Sequence, residues 1–437
     1  AGIAGLYMTL KSFNKNNICN SMLSWELTDE KIKLYINSTE KESLIWLFNN
    51  SFKICDYGLI DFPGYANNTH IEKYLFHDFI LHTFYGQGKG GGGKLSSIKK
   101  SINVEINDEV INLNYNPVIR LNHLYKIEEK FDKNFHFKEN HEIIGWHYPG
   151  STTRHEGVKF SEKKDAFISL LYAPIGCYYA KYYTTINDKV YPRYACIVPE
   201  VNNLELYYLE KSSLKKGIVP HFASNAEDAG MQYLAMRTTF GQTNFKRCKV
   251  FVFNGKRGSD FKRIKVIQVN TNKKVLSIYE KCLTLFPIKI TKGLFPIIPK
   301  SRELISVNLN SNFEWFKNFA YIMSDKKSAK KIKKYESEGL KAMSEKTFQN
   351  DSIEHIIVCA VHESMKILYR KIWDKSKDMG TEPDSKFNSA NEKLRVSLVQ
   401  CRKLKTIRQA LVDFWAKNRP NSVVKKNWEI IMKFLMD

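Results

Sequence analysis

From about Asn310 onward, the apolar residues of this chain recur every three or four positions, and Pro almost disappears. One run places six apolar side chains on a single face of a helix: Ile353, Ile357, Val361, Met365, Leu368 and Ile372. The side chain of Asp351 or Ser352 can accept a hydrogen bond from the first free N–H groups of that helix. Residues 310–437 are therefore predicted to form a helical bundle.

Interruptions of this pattern predict where the other helices of the bundle begin and end. The first helix is broken across Asp378–Ser389, which contains both Gly and Pro. A second long helix ends at Pro420, and a cap at Asn421 or Ser422 begins the last one. Phe313–Met323 supplies a further helix before them. The apolar face of the second helix consists of Leu394, Leu398, Cys401, Leu411 and Trp415.

Residues 1–305 have a different pattern, in which short stretches of alternating polar and apolar residues are separated by short helices. A helix is predicted at Glu40–Phe52. Strands are predicted at Lys31–Ile36, Asn103–Leu113 with a turn at Asn107–Asp108, Tyr191–Pro199, Leu204–Leu209, Cys248–Phe253 and Arg263–Val269. The predicted fold class is α+β, with a mixed α/β body that contains β-hairpins, followed by the helical bundle.

Length and composition exclude several classes of protein. The 437 residues, of which 43% are hydrophobic, can form two or three domains with a sizeable core. No apolar run reaches the roughly 18 residues of a membrane helix, so a cytoplasmic protein without a membrane partner is expected. The eight cysteines have neither C-x-x-C nor zinc-finger spacing, which favours reduced thiols and predicts no metal and no cofactor. Because the chain starts without Met and already inside a domain-like pattern, further residues are expected upstream.

Positive charge is concentrated in the second half of the chain. Residues 1–210 have a net charge of −1, residues 211–310 of +14 and residues 311–437 of +10. A solvated charged surface explains any single basic run, but it explains the 211–310 block poorly because acids are scarce there. This distribution predicts a surface that binds a polyanion, and nucleic acid is the expected partner.

The two strands at Cys248–Phe253 and Arg263–Val269 flank a turn, Asn254–Phe261, whose tip is cationic. A two-stranded ribbon of this kind can enter a DNA groove while the flanking charges hold phosphates. The alternative is a hairpin whose lysines only prevent edge pairing. Asp260 is the only acid between 246 and 265, which favours nucleic acid. The candidate binding residues are Lys246, Arg247, Asn254, Lys256, Arg257, Lys262 and Arg263.

A glycine-rich run, YGQGKGGGGK, occupies Tyr85–Lys94 and matches neither a P-loop nor a dinucleotide-binding turn. Its bare backbone N–H groups and the ammonium groups of Lys89 and Lys94 could follow a phosphate backbone closely. A flexible surface loop is an equally good interpretation of the same composition.

Two further basic runs lie in the predicted bundle. KKSAKKIKK places six lysines within nine residues, and Arg402–Arg408 adds four basic residues. Such runs on helices can follow a nucleic-acid strand through its phosphates, although a solvated helix face is the competing interpretation. The candidates are Lys326, Lys327, Lys330, Lys331, Lys333, Lys334, Arg402, Lys403, Lys405 and Arg408.

The segment WHYPGSTTRH combines two histidines, an arginine and an aromatic residue around a Pro-Gly turn. Its side chains Trp146, His147, Arg154 and His155 could bind a nucleotide or perform acid–base chemistry. No neighbouring set of carboxylates completes a metal nuclease site, so a structural turn is favoured over catalysis. Five other histidines, at positions 70, 77, 82, 355 and 362, are interpreted as packing or surface residues.

Several segments together resemble the large subunit of type I CRISPR Cascade, in its type I-B-like, Myxan-subtype branch. They are AGIAGLYMTL at 1–10, GWHYPGSTTRH at 145–155, LLYAPIGCYY at 170–179, CIVPEVNNLE at 196–205 and NEKLRVSLVQCRKLKTIRQALVDFWAK at 391–417. The order of these segments along the chain carries the resemblance. The glycine run at 86–93 is more extreme than the family pattern.

The resemblance implies a non-catalytic subunit of an RNA-guided complex. Such a subunit lies beside the 5′ end of the guide CRISPR RNA and contacts the backbone, guide 5′-end-binding and small subunits. It reads the PAM in target double-stranded DNA, helps to open the duplex, and lines the path of the displaced strand with its helical bundle. The implied division assigns 1–305 to docking and PAM reading and 310–437 to a bundle like the small subunit. A further partner would be a helicase-nuclease or, for RNA-guided transposition, a transposition adaptor.

Within this family, PAM recognition is expected at the hairpin tip Asn254–Phe261 or at the loop Gly86–Lys94. Arg257 favours the tip, because its planar guanidinium can pair with a guanine edge.

Two alternative functions stay open at this point. One is a metal-dependent nuclease that uses His147, Arg154 and His155, and the other is a stand-alone nucleic-acid-binding protein.

Overall fold

The computed structural model describes residues 1–65, 69–86, 92–106, 109–143, 160–213, 219–238, 247–254, 264–291, 294–322, 332, 334–347, 352–401, 403–419 and 421–436. The chain divides into two compact units. The first consists of Ala1–Tyr279, Ile288–Ile298 and Leu309–Asn312, and the second, here called the helical unit, of Glu280–Pro287, Pro299–Asn308 and Phe313–Asp437. The first mixes helices with antiparallel strands, whereas the described residues of the second form helices and turns. The α+β fold class is confirmed.

The strands pair in antiparallel fashion. They are β1 (Leu23–Leu27), β2 (Ile32–Ile36), β3 (Lys53–Ile54), β4 (Ile60–Asp61), β5 (Gly93–Leu95), β6 (Lys100–Ile106), β7 (Glu109–Tyr115), β8 (Val118–Leu121), β9 (Asn140–Glu142), β10 (Ser161–Lys163), β11 (Tyr178–Ile186), β12 (Lys189–Pro199), β13 (Arg247–Asn254), β14 (Lys265–Asn270), β15 (Lys289–Thr291) and β16 (Phe295–Ile297).

The helices include short single turns as well as long helices. They are α1 (Gly2–Lys15), α2 (Glu40–Ser51), α3 (His70–His82), α4 (Asn122–Tyr125), α5 (Lys164–Leu171), α6 (Ala173–Gly176), α7 (Leu204–Ser213), α8 (Ala226–Thr238), α9 (Lys273–Leu285), α10 (Lys300–Asn310), α11 (Phe319–Ile322), α12 (Ser337–Thr347), α13 (Ile353–Asp378), α14 (Asp384–Val399), α15 (Leu404–Lys417), α16 (Ser422–Lys426) and α17 (Trp428–Met436). Among the described residues, no helix is both long and apolar enough to cross a membrane.

The largest sheet of the first unit has the strand order β11-β12-β13-β14. It contains the predicted basic hairpin, whose strands β13 and β14 pair Phe251 with Val266 and Cys248 with Val269. The strand prediction for this hairpin is therefore confirmed. Strand β2 and the hairpin β6–β7 also lie where the alternating sequence predicts them, whereas β1, the partner of β2, was not predicted.

A buried ionic cluster connects α3 to this sheet. The carboxylate of Asp78 accepts hydrogen bonds from Lys181 Nζ and from the Tyr194 hydroxyl, both at 3.0 Å, and lies 3.0 Å from His82 Nδ1. Burial disfavours the charged carboxylate, but the Lys181 ammonium outweighs it and holds the pKa of Asp78 well below its usual range. Because each charge has a partner, the cluster fixes α3 against β11 and β12 and so orients the strands that lead into the basic hairpin.

The core of the helical unit has the spacing of a helix, but its centre lies one position from the predicted apolar face, because Ile357 and Val361 are only half-buried. Ile356 and Ala360 of α13 pack with Leu411, Trp415 and Ile431 of later helices. The predicted caps are also present, since Ser352 Oγ accepts a hydrogen bond from the backbone N–H of His355, and Asn421 Oδ1 accepts one from that of Val424. The long predicted helix after residue 352 is confirmed.

One predicted strand is wrong, because Leu204–Leu209 lies in helix α7. Asn203 caps that helix by accepting a hydrogen bond from the backbone N–H of Leu206 at 2.8 Å. Leu204 and Tyr207, three positions apart, are buried, while Leu206 and Leu209 are exposed. The run of Leu and Tyr looks like an alternating strand, but its burial has the spacing of a helix.

Two helix predictions also need correction. The predicted second long helix is two helices, α14 and α15, which meet at a break after Val399, where Lys403 becomes the N-cap residue of α15. Within Phe313–Met323, only Phe319–Ile322 is helical among the described residues. The side-chain amide of Asn308 donates to the carbonyls of Trp315 and Lys317, which removes both acceptors from a helical ladder. Asn312 and Asn318 have positive φ angles of 56° and 64°.

We expect the stability of the first unit to fall in mild acid because of His123. Its ring is buried edge-on against Phe52 at 4.6 Å, and burial lowers its pKa to about 3. An unfolded chain has an ordinary histidine pKa of about 6.5, so the unfolded state binds the extra proton first as the pH falls below that value. Each pH unit below about 6.5 should therefore remove about 1.4 kcal/mol until the pH reaches the pKa of the folded state.

Urea unfolding at a series of pH values measures this slope. His123→Gln should make the pH dependence shallower by about 1.4 kcal/mol per pH unit, whereas the same change at the exposed His70 should leave it unaltered. Equal slopes for the wild type and His123→Gln would show that His123 does not carry the effect.

Candidate nucleic-acid interface

The two ends of the glycine-rich loop are tied together by the backbone. The N–H of Gly92 donates to the carbonyl of Tyr85 at 3.1 Å, and the N–H of Asn122 donates to the carbonyl of Gly92 at 2.8 Å. A Cβ on Gly92 would lie 2.1 Å from the Tyr85 ring, and one on Gly86 would lie 2.2 Å from the Leu81 carbonyl oxygen. Glycine is thus required at both ends of the loop, which close over a buried aromatic ring. Residues 87–91, with Lys89, lie outside the described residues.

Lys94 leaves this loop on strand β5 and lies directly opposite Arg120 of β8. The Arg120 guanidinium carbon stacks 3.9 Å from the centroid of the Tyr125 ring, which is 64% exposed. Lys94 is exposed and Arg120 is half-buried. The structure therefore adds Arg120 and Tyr125 to the one predicted cation, Lys94, that lies in this part of the described chain.

The cations at the base of the basic hairpin are less available for binding than the sequence suggests. Arg247 Nε donates to Glu200 Oε2 at 2.7 Å, so this cation already has an acidic partner. Lys249 and Lys265 are exposed, but the register of β13 and β14 places them on opposite faces of the sheet. Asn254 ends β13, where its backbone pairs with Arg193. The tip itself, with Lys256, Arg257, Lys262 and Arg263, lies outside the described residues, as does Lys246.

Few of the predicted cations of the helical unit belong to described residues. Lys334, Lys403 and Lys405 are exposed, whereas Arg408 is half-buried with its guanidinium carbon 5.0 Å from the centroid of the Phe434 ring. Lys326, Lys327, Lys330, Lys331, Lys333 and Arg402 fall outside the described part of the chain. Phosphate binding by these runs therefore stays a prediction.

A groove in the helical unit has a more complete cationic lining. It encloses about 670 Å³ between α12, α13 and the chain that follows α15, and we call it the helix groove. Lys366 and Arg370 project from successive turns of α13, and Arg419 follows α15. All three are exposed, and none has an ion pair or side-chain hydrogen bond within the described residues. The complete set of groove cations is Lys341, Lys366, Arg370, Lys371 and Arg419.

Two of the acids that line the helix groove are occupied by the protein itself. Glu345 Oε1 lies 3.2 Å from His362 Nδ1 and 3.7 Å from Lys341 Nζ. Glu363 accepts hydrogen bonds from the hydroxyl of Ser422 and from the backbone N–H of Val423, which fixes the start of α16. Burial opposes ionisation of Glu363, but these hydrogen bonds outweigh it and lower its pKa. The third acid of the lining, Asp374, is exposed and lies one helical turn from Arg370. The five cations still outnumber the three acids, so the helix groove presents excess positive charge to solvent, as an anion-binding surface requires.

Comparison with known proteins adds the family context. Residues 1–171 match the DevT N-terminal domain, and residues 345–437 match the DevT C-terminal domain. The chain is also 20% identical over 432 aligned residues to the CRISPR-associated protein Cas8a1/Csx13 of Myxococcus xanthus (strain DK1622), in an alignment that covers 89% of this chain and 72% of that protein. The chain is a distant homologue of a CRISPR-associated protein.

The two DevT matches include the features described above. The DevT N-terminal match contains the glycine-rich loop with Arg120 and Tyr125, and the DevT C-terminal match contains α13 to α17 with Lys366, Arg370 and Arg419. Residues 172–344, with the central sheet and the basic hairpin, lie between the two matched ranges. The sequence resemblance to a CRISPR large subunit is supported.

The segment considered for catalysis contributes no described side chain. Trp146, His147, Arg154 and His155 all lie outside the described residues. Within the described ranges, no group of three or more His, Cys, Asp or Glu side chains is arranged to hold a metal ion. The histidines at 77, 82, 355 and 362 have the packing and hydrogen-bonding roles predicted for them.

A cavity of about 410 Å³ in the first unit contains one conspicuous cation, Lys211. Burial lowers the pKa of this lysine to about 7. Its Nζ donates to the carbonyls of Ile175 and Cys177 at 2.5 and 2.9 Å and lies over the rings of Tyr65 and Tyr178. Lys211 therefore holds α7 against the chain that enters β11, which is a structural role.

Sequence reasoning missed the residues that the structure presents most openly. Arg370 and Arg419 are 49 positions apart, and neither belongs to a basic run, so no local pattern marks them. Lys366 and Arg370 do stand four positions apart on a predicted helix, which places them on one face. That spacing is the signal that could have identified half of the helix groove, although Asp374 follows Arg370 at the same spacing.

Proposed function

We propose that this chain is the non-catalytic large subunit of a type I CRISPR Cascade complex, in the type I-B-like, Myxan-subtype branch. In this role it contacts the 5′ end of the guide CRISPR RNA and the backbone, guide 5′-end-binding and small subunits. It reads the PAM in target double-stranded DNA and stabilises the R-loop that forms after the duplex opens. It acts in the cytoplasm of a prokaryote, with a helicase-nuclease or a transposition adaptor as its final partner.

The observation that carries this proposal is the pair of DevT matches at the two ends of the chain, together with the CRISPR-associated relative that aligns along most of it. The charge distribution supports the nucleic-acid part of the proposal. The net charge is +23, and the helix groove contains three exposed cations that form no ion pair within the described residues. A binding subunit needs such a surface, whereas a docking surface for protein partners suits the nearly neutral first 210 residues.

Reconstitution tests the assignment directly. The full chain is expressed with the backbone and guide 5′-end-binding subunits, with and without guide RNA, and each mixture is separated by size exclusion. We expect the chain to elute with the guide-bound assembly, and we expect a DNA-cleavage assay of the purified chain with Mg²⁺ or Mn²⁺ to show no product. A chain that binds nucleic acid but elutes alone would favour a stand-alone nucleic-acid-binding protein, and cleavage would favour a nuclease.

Arg257→Ala should reduce discrimination between correct and incorrect flanking motifs by about 1–3 kcal/mol, because a bidentate contact to a guanine edge has that value. The measurement is binding of the assembled complex to a small library of flanking sequences. Lys89→Ala with Lys94→Ala serves as the comparison, since the loss of phosphate contacts should weaken all duplexes alike. Unchanged motif preference in the Arg257→Ala complex would exclude the hairpin tip as the reader.

A further inference from the structure

We infer that the paired strands β5 and β8, together with Tyr125, form a binding site for an unpaired nucleotide of a single-stranded nucleic acid. In this site the phosphate lies between Lys94 and Arg120, and the base stacks on Tyr125. We call these strands and Tyr125 the stem site. The inference rests on the proposed function, because it specifies how one part of the first unit would contact a guide or target strand.

The first argument is electrostatic. Lys94 and Arg120 are directly opposite on an antiparallel pair, so their Cβ atoms are only about 4.5–5.5 Å apart on the same face. Like charges in that position are destabilising. Within the described residues, neither cation has an ion pair or a side-chain hydrogen bond, whereas Lys41 and Lys73 in the same unit pair with Glu128 and Asp61. A phosphate that bridges the two cations removes the repulsion between them.

The second argument is geometric. The register of β5 and β8 shifts between Lys94 and Leu95, because Leu95 pairs with Val118 and thus skips Ile119. Such a bulge bends the strand and re-aims the adjoining side chain, and bulges are enriched beside binding sites. Here the adjoining side chain is Arg120, which is turned onto the Tyr125 ring. The hydrogen bond between the backbones of Asn122 and Gly92 holds both strands at this point.

The third argument identifies the ligand as unpaired. The Tyr125 ring is 64% exposed although Arg120 lies over it, so a large part of the aromatic surface stays open. Bases stack on exposed aromatic rings and on arginine planes only when they are not stacked within a duplex. An aromatic ring beside two unpaired cations therefore matches a single strand better than a double helix, whose bases are covered.

The test measures binding of the full chain to three fluorescent probes of the same sequence: an oligoribonucleotide, an oligodeoxyribonucleotide and a DNA duplex. Tyr125→Leu should weaken single-strand binding about 10-fold without changing its salt dependence, since the loss is one of stacking. Lys94→Gln should reduce the salt slope by about 0.7, the value for one phosphate contact of a single strand. Tyr125→Phe should bind like the wild type. The single-stranded probe whose affinity falls more in the variants, RNA or DNA, identifies the ligand.

The matched control is Phe135→Leu, because Phe135 is also an exposed aromatic ring with a lysine, Lys41, over it, but that lysine is paired with an acid. Circular dichroism checks that each variant is folded. The inference is overturned if Tyr125→Leu and Phe135→Leu have equal effects, if Tyr125→Leu weakens duplex binding as much as single-strand binding, or if the wild-type chain binds no single strand. Assembly with the guide-bound subunits, measured separately, would still support the proposed function in each of these cases.

Discussion

Replacing Lys366, Arg370 and Arg419 together with Gln is expected to weaken binding of single-stranded nucleic acid by about 50-fold at about 0.15 M salt. These three cations line the helix groove, and none of them forms an ion pair within the described residues. If each holds one phosphate, their loss lowers the salt slope by about 2.1, and the difference from the wild type vanishes near 1 M salt. The measurement is a salt titration of affinity with labelled single strands of several sequences, which should all be affected alike.

The control for this prediction removes the same number of charges elsewhere on the helical unit. Lys377, Lys425 and Lys433 are exposed and do not line the helix groove, so their replacement with Gln alters net charge equally. We expect that variant to retain most of the affinity of the wild type. If both triple variants lose affinity to the same extent, net charge explains the binding and the helix groove has no special role.

Arg237→Met is expected to destabilise the first unit by about 3–5 kcal/mol, which is the usual result of removing one partner of a buried ion pair. Arg237 is 1% exposed, and its Nε donates to Glu210 Oε2 at 2.7 Å while its Nη1 donates to the hydroxyl of Tyr233 at 2.6 Å. Burial already raises the pKa of Glu210, and Arg237 opposes this shift. Without the arginine, the carboxylate must either stay charged in an apolar interior or take up a proton.

Denaturant unfolding of the variants measures this cost. Arg237→Met combined with Glu210→Met removes both charges, and it should recover much of the lost stability because a buried pair contributes little beyond an apolar replacement. Arg247→Met, at the exposed pair with Glu200, should leave the free energy of unfolding almost unchanged. A double variant as unstable as Arg237→Met alone would show that side-chain volume, not the unpaired charge, explains the loss.

The elements that the sequence predicted correctly are those whose patterns are local. Helix α13 has a strong apolar period and a Ser352 cap, and the hairpins at β6–β7 and β13–β14 have alternating residues around turn formers. The errors at Leu204–Leu209 and Phe313–Met323 have a common origin. In both segments the side chain of an asparagine sets the backbone conformation. Asn203 accepts a hydrogen bond from a backbone N–H, and Asn308 donates one to a backbone carbonyl. The pattern of apolar residues does not reveal such bonds.

The candidate binding residues also fall into two groups, those that the sequence identifies and those that only the structure identifies. Charge content is a property of composition, so the excess of Lys and Arg after residue 210 and the expectation of a polyanion needed no structure. Lys94 was identified because it ends a recognisable glycine run. Arg120, Tyr125, Arg370 and Arg419 stand alone in the sequence, and each becomes a candidate only because a neighbour from another segment lies beside it.

The sequence by itself determined the α+β class, the helical character of the last third of the chain and the positions of β2, β6, β7 and β12 to β14, and it predicts an anionic ligand. Only the tertiary structure decided which cations are available to bind it. Arg247 is paired with Glu200, Arg408 lies on Phe434, and Arg370 faces a groove whose nearest glutamates are occupied. The physical reason is that a charge acts through its neighbours in space, since ion pairing and burial set its free energy, whereas sequence distance does not.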